Sequence, residues 1–246
     1  MDDLLRLTGP PAQGRVLTEH RRVRSGDADA SRVLRLDGVA RYAQDIAFDD
    51  LFDAAEDGDH GAWVLRRTVI EVHRMPVFHE PLRVRTWCSG IGARWCTKRT
   101  TLDSADGSRV EVEGFWVNVD PSTGRPAPLP ARMVATFRAA AGDEPLRWRR
   151  MLTGPVAQGA AAHEFALRVT DVDWLGHLNN ATYWAALEQV LVGHTSGPVE
   201  AVLEHAVPVD PGEHLRLRTS TDGVSRHVWF LVEGAVRAVA RVRPRA

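Results

Sequence analysis

Asp171-Val172-Asp173-Trp174-Leu175-Gly176-His177 answers Asp27-Ala28-Asp29-Ala30-Ser31-Arg32-Val33 at an offset of 144 residues. Further along, Gly212-Glu213-His214-Leu215-Arg216-Leu217-Arg218-Thr219 answers His79-Glu80-Pro81-Leu82-Arg83-Val84-Arg85-Thr86 at an offset of 133. The same 133 carries Ser89-Gly90-Ile91 onto Asp222-Gly223-Val224. Two blocks in the same order mark an internal duplication, shortened in its second copy between the blocks. Each copy follows one grammar. A short strand (Glu19 to Arg24; Glu164 to Val169) enters the D-x-D turn. A helix follows, its apolar residues near 3.6-residue spacing at Leu36, Val39, Ala43, Ile46 and Ala47, and at Tyr183, Ala186, Leu187, Val190 and Leu191 in the second copy. Alternating strands come next, at Val64–Val72, Leu82–Trp87, Trp95–Leu102 and Val110–Asp120, then Val199–His205, Leu215–Thr219, Val228–Val232 and Ala235–Val242. One helix followed by a run of antiparallel strands predicts an α+β unit whose curved sheet wraps its own helix. The expected organisation is a first unit over 15–120, a linker rich in Pro, Ala and Gly over 121–162 with room for a short helix at Ala131–Ala141, and a second unit over 163–243.

Composition narrows the function. The 246 residues carry 31 Lys+Arg against 32 Asp+Glu, so no global field draws the chain to nucleic acid or an anionic membrane. No apolar run is long enough to span a bilayer, and the acidic opening Met1-Asp2-Asp3 has no signal core, so a cytoplasmic protein is expected. Two cysteines, Cys88 and Cys96, make neither a disulfide framework nor a cysteine zinc site; both are expected as small core residues. Lys98 is the single lysine, so one arginine among so many says little about an anion clamp. Neither Gly-x-Gly-x-x-Gly, a P-loop nor Gly-x-Ser-x-Gly occurs.

The second copy's turn is the densest polar cluster beside a helix start. It offers the Asp173 carboxylate, the His177 imidazole and a helix beginning near Asn179 or Asn180, whose N–H groups and dipole can hold a developing oxyanion. Asp173 could act there as a general base or as a nucleophile on an acyl carbon. The plainer alternative is that Asp171 and Asp173 form Asx turns and an Asn caps the helix. The first copy keeps Asp29 but has Arg32 for Gly176 and Val33 for His177, which favours chemistry in one copy and binding in the other.

The run Asp-x-Asp-x-x-Gly-His-Leu-Asn-Asn-Ala-x-Tyr, Asp171 to Tyr183, resembles the signature of acyl-acyl carrier protein thioesterases. Trp63-Val64-Leu65-Arg66-Arg67-Thr68, His73-Arg74-Met75-Pro76, Arg85 to Gly90 and Gly114 to Asp120 are similar to the same family. The resemblance implies two tandem hotdog domains forming an intramolecular pseudo-dimer, with acyl-chain binding in the first and catalysis in the second. It places the catalytic aspartate on Asp173 and the histidine on His177. The plant-type members carry an asparagine where this chain has Leu175, and a Glu-Cys pair that falls near Pro208 and Val209.

The expected activity is hydrolysis of a fatty acyl thioester, carried on acyl carrier protein or coenzyme A. The expected site joins Asp173, His177 and Asn180 with oxyanion donors at the Leu178 and Asn179 N–H groups. No metal or redox cofactor is implied, and a homodimer of double-hotdog chains is left open. A non-catalytic acyl-binding hotdog protein and an enoyl-thioester hydratase are the rivals, though the hydratase would want Asn-Pro before its histidine. Glu188, some 16 Å along the helix from His177 by the 1.5 Å rise per residue, is not expected in that site. His163, His194, His205 and His214 show no ligand spacing and are expected at the surface or satisfied. The tryptophans are expected in the core or along an acyl tunnel, and Arg147-Trp148-Arg149-Arg150 on a solvated linker face.

Overall fold

The computed structural model describes residues 7, 9–54, 61–142, 146–191 and 197–245; His194 and Pro145 of the linker lie outside them. The first copy runs β1 (Leu17–Arg22), α1 (Leu36–Ala54), β2 (Ala62–Arg74), β3 (Pro81–Ile91), β4 (Trp95–Asp103) and β5 (Arg109–Val119). After α2 (Ala131–Ala141), the second runs β6 (Ala161–Phe165), α3 (Asn180–Val190), β7 (Val199–His205), β8 (Leu215–Asp222), β9 (Ser225–Val232) and β10 (Ala235–Pro244). Every ladder is antiparallel, and the ten strands form one sheet in the order β1-β3-β4-β5-β2-β7-β10-β9-β8-β6. Read outward from the β2–β7 seam, the two halves have the same strand order. The duplicated sequence therefore folds into two equivalent halves, as tandem hotdogs do.

The pleat explains which residues meet. Along β2, Ile70 and Val72 face inward to a core shared with Leu36, Val39 and Ile46 of α1 and with Trp184 and Leu187 of α3. The two helices pack on each other, so this core is common to both copies. Neither copy closes its apolar face alone.

Val69, turned the other way, meets Val202, Trp229 and Val239 on the outer face, where linker residues Leu152 and Ala160 cover them. Glu204 of β7 fastens that linker, its carboxylate accepting from the N–H groups of Met151 and Leu152 at 2.9 Å each. A separate cluster packs α2, through Met133 and Phe137, against Leu51, Leu65, Cys88, Cys96 and Trp116. Both cysteines are free and buried there.

The expected strand at Glu164–Val169 is instead β6, ending at Phe165. The Arg168 side chain grips the Asp171 carboxylate at 2.7 Å while the Arg168 N–H donates to it at 2.8 Å, which bends the chain into a turn over Val169–Asp171. Asp171 is thus buried and structural.

Candidate active site

Asp173 sits in a tight turn that both copies build alike. Its N–H donates to the His177 carbonyl at 3.0 Å, and its Oδ1 accepts from the Leu175 N–H at 2.9 Å. In the first copy Asp29 donates to Val33 at 2.8 Å and accepts from the N–H groups of Ser31 and Val33, each at 2.9 Å. Gly176 has φ 82° and Arg32 has φ 67°, so the same left-handed step is made with glycine in one copy and against steric preference in the other. The Gly176/Arg32 difference is therefore not a chemical one, contrary to the expectation, and the Asx turn is real in both copies. What differs is the second carboxylate oxygen. Asp173 Oδ2 is held at 3.3 Å by the Asn179 side-chain amide, where the first copy has Arg35.

Asn179 also caps α3, its Oδ1 accepting from the Ala181 N–H at 2.8 Å. One residue thus sets both the helix start and the carboxylate. The expected oxyanion donors need correction. The Leu178 N–H is taken by the Val209 carbonyl and the Asn179 N–H by the Asp171 carbonyl, each at 2.9 Å. Among the described residues the Asn180 N–H, first in the helix, has no acceptor. The Asn180 amide donates at 3.2 Å to Gln44 of α1, reaching across to the other copy.

The His177 imidazole makes no hydrogen bond to the Asp173 carboxylate among the described residues. Its Nε2 lies 3.5 Å from Asp210, which follows the Pro208-Val209 position that the sequence had aligned with a missing catalytic pair. A carboxylate does stand beside this site, one residue further on. His205, expected at the surface or satisfied, instead lines the site with its Nε2 buried and unpartnered. Its ring meets Tyr183 edge-on at 4.7 Å, and burial beside Arg66 pushes its pKa down to about 3, so it is neutral.

These groups share one open cleft of about 170 Å³, walled by Asp173, His177 and Asn180 of the second copy and by Trp63, Leu65 and Arg66 of the first. Behind Leu65 and Asn180 lies a small chamber between α1 and the sheet. Beyond Ala47, Lys98 and Trp116 is a third small space reaching Met133 of α2. The line of cavities runs from the carboxylate into the first copy's interior. Glu188 faces the opposite end of the helix pair, its Oε1 accepting from the Leu36 N–H at 2.7 Å, as its distance from His177 had suggested. Trp148 of the linker is not on a bare solvated face. It packs on Phe115 at 4.9 Å, beneath the guanidinium groups of Arg66 and Arg67.

The acyl-ACP thioesterase N-terminal domain model matches residues 14–137, and the C-terminal domain model matches residues 156–243. The chain belongs to the acyl-ACP thioesterase family. It is a thioester hydrolase of fatty acyl groups by that membership. Two uncharacterized proteins from Mycobacterium tuberculosis strains are each 36% identical to it over 241 residues, 97% of this chain and 96% of theirs. The solved 12:0-ACP thioesterase from Umbellularia californica superposes with a TM-score of 0.78 at 19% identity, over 96% of this chain and 100% of its own. An acyl-ACP thioesterase from Bacteroides thetaiotaomicron gives 0.77 at 18%, over 93% and 97%. At those identities the likeness speaks for the tandem hotdog fold.

Sequence reasoning missed Asp210, Arg66 as a cleft wall, and His205. Arg66 lay inside a run already similar to the family. The other two carried no local signal, since a lone Asp after Val209 and a lone His at a strand end are ordinary.

Proposed function

We propose that the cleft at Asp173 hydrolyses fatty acyl thioesters presented by acyl carrier protein, with the acyl chain threaded into the first copy. The observation that carries this is the meeting, in one cleft, of a held carboxylate and an unengaged helix-start N–H at the mouth of a line of apolar cavities. The thioester carbonyl oxygen points at the Asn180 N–H, where the α3 dipole and that donor stabilise the oxyanion. Asp173 Oδ2 takes a proton from water as the water oxygen bonds to the carbonyl carbon, or attacks that carbon itself. The C–S bond then breaks: on the base path the proton returns to the leaving thiolate, and on the nucleophile path water hydrolyses the acyl–Asp173 anhydride to free acid and carboxylate and its proton goes to the thiolate. His177, oriented by Asp210, stabilises the group that develops charge. The first copy, with Val33 and Leu36 where the second has His177 and Asn180, supplies the binding wall.

A carrier protein fits the mouth. Exposed Arg149 and Arg150 follow Trp148, whose ring lies beneath the guanidinium of Arg66 at the cleft. These cations meet an acidic carrier surface in a cytoplasmic pathway of fatty acid synthesis. Release of free thiol from matched acyl thioesters on carrier protein and on coenzyme A tests the reading. Turnover with preference for the carrier protein, lost in Asp173→Asn, is expected. Turnover of neither refutes the hydrolase assignment to this cleft.

A further inference from the structure

The chamber behind Asn180 is not lined as an alkyl tunnel should be. Lys98, the one lysine of the chain, lies in its wall and is 6% exposed. Its ammonium pairs with the fully buried Asp50 carboxylate and sits 4.5 Å from the centre of the Phe137 ring. Arg15 closes the same Asp50 from the far side at 2.6 Å and also binds Asp53. The positive charge of Lys98 is therefore already neutralised, and an anionic chain end has nothing left to pair with. An ammonium has three N–H donors, however, and one carboxylate does not use them all.

Two further residues that line this chamber each carry a buried polar atom. Thr68 Oγ1 and Trp184 Nε1 are both buried without a hydrogen-bond partner among the described residues. Trp184 is fully buried and Thr68 nearly so. Opposite Thr68 in the β2–β5 ladder stands Gly114, whose missing side chain leaves room for the Trp116 indole in the chamber wall. A plain alkyl chain entering here would displace any water and leave the indole N–H, the threonine hydroxyl and the spare ammonium donors without partners, the costly arrangement for buried polar groups. An oxygen on the chain would accept from them.

We propose that the acyl chain this enzyme prefers carries a neutral oxygen function, a hydroxyl or a keto group, along its middle, received by Lys98, Thr68 and Trp184. The oxygen belongs to the middle because the chamber starts only beyond Leu65 and Asn180, which divide it from the thioester cleft. The proposal rests on the reading of the Asp173 cleft as the thioester site, which fixes the direction in which the chain enters.

The test is kcat/KM on acyl carrier protein thioesters of equal chain length, bearing no oxygen, a hydroxyl beside the thioester, or a hydroxyl or keto group at mid-chain. Mid-chain oxygenation is expected to raise kcat/KM about tenfold or more over the unsubstituted chain, since a site built to bond an oxygen rejects the analogue lacking it. Thr68→Val keeps the shape without the hydroxyl and should reduce that ratio several-fold. Lys98→Met should reduce it further, but strands Asp50, so Thr68→Val carries the test if that variant does not fold. Equal or faster turnover of the unsubstituted chain by the native enzyme overturns the proposal and leaves the hydrolase reading standing. So does a mid-chain preference that Thr68→Val does not change. Binding of the corresponding free acids, read by tryptophan fluorescence since Trp116 and Trp184 line the chamber, separates the two readings. If no thioester is turned over yet the mid-chain hydroxy acid binds more tightly than the plain acid, and Thr68→Val removes the difference, the chamber is assigned correctly and the hydrolase reading falls. No difference in binding overturns the proposal independently of catalysis.

Discussion

Val69 and Val202 lie opposite each other in the ladder joining the two halves of the sheet, and they are equivalent residues of the duplication, 133 positions apart. A pseudo-twofold axis must therefore pass between them. It carries Asp173 onto Asp29, Asn180 onto Leu36 and Glu188 onto Gln44 through the other offset of 144. Each D-x-D turn in consequence faces the central strand of the opposite copy. That is why Arg66 and Trp63, from the first copy, wall a cleft whose carboxylate comes from the second.

Asp173→Asn removes the charge at nearly constant shape and should lower kcat by about a hundredfold or more, as expected for loss of a general base or nucleophile. Asp29→Asn, at the pseudo-equivalent turn, should keep most of the turnover, since Val33 and Leu36 give that turn no partner groups. Steady-state kinetics on one long-chain thioester compare the two. Equal losses would refute the single-site reading.

If Asp210 acts through His177, the two substitutions cannot be additive. Asp210→Asn is expected to cost a few-fold in kcat/KM in the native background, a modest effect because the pair, at 3.5 Å, is about half exposed. In a His177→Ala background the same change should cost nothing. A double-mutant cycle on kcat/KM decides it, and additivity would detach Asp210 from the site.

Glu188 stands where its repeat partner is Gln44. Burial pushes its carboxyl up to about 7, against an ordinary value of 4.5, and its Oε2 has no partner among the described residues. A raised acid is bound more firmly to its proton in the folded state. Stability is therefore highest below the ordinary carboxylate range and is lost as pH climbs to about 7, by up to about 3 kcal/mol. Glu188→Gln should raise Tm above pH 7, change it little near pH 4.5, and flatten the profile between. Calorimetry across that range would show it, and an unchanged slope would mean the group ionises without cost.

A side chain at Gly114 would sit 2.6 Å from the Trp116 indole nitrogen and 3.4 Å from a Leu65 methyl. Gly114→Ala should force the indole into the acyl chamber it lines, destabilising the fold by about 1–3 kcal/mol as overpacking does. The same change should move the preference toward shorter acyl chains, measurable with a chain-length series. A lower Tm with an unaltered preference would place Trp116 outside the chain's path.

The duplication, the helices, the ladder strands and the Asp173 turn were legible because each is written in residues close together in the chain. Period-two alternation marked β2 to β5 and β7 to β10, and the spacing of Leu36 to Ala47 marked α1. The carboxylate of Asp173 beside a helix start was readable for the same reason: cap, turn and helix are local. The tertiary structure decided which partner each of these groups meets. It gave the Leu178 and Asn179 N–H groups to Val209 and Asp171, leaving Asn180 as the unengaged donor. It brought Asp210 to His177 and His205 to Tyr183. It also turned Thr68, Lys98 and Trp184, from three separate elements, toward one chamber. Alternation says which residues share a face of their own strand, but not what stands across from that face. That depends on how two copies, neither able to bury its apolar face alone, close on each other.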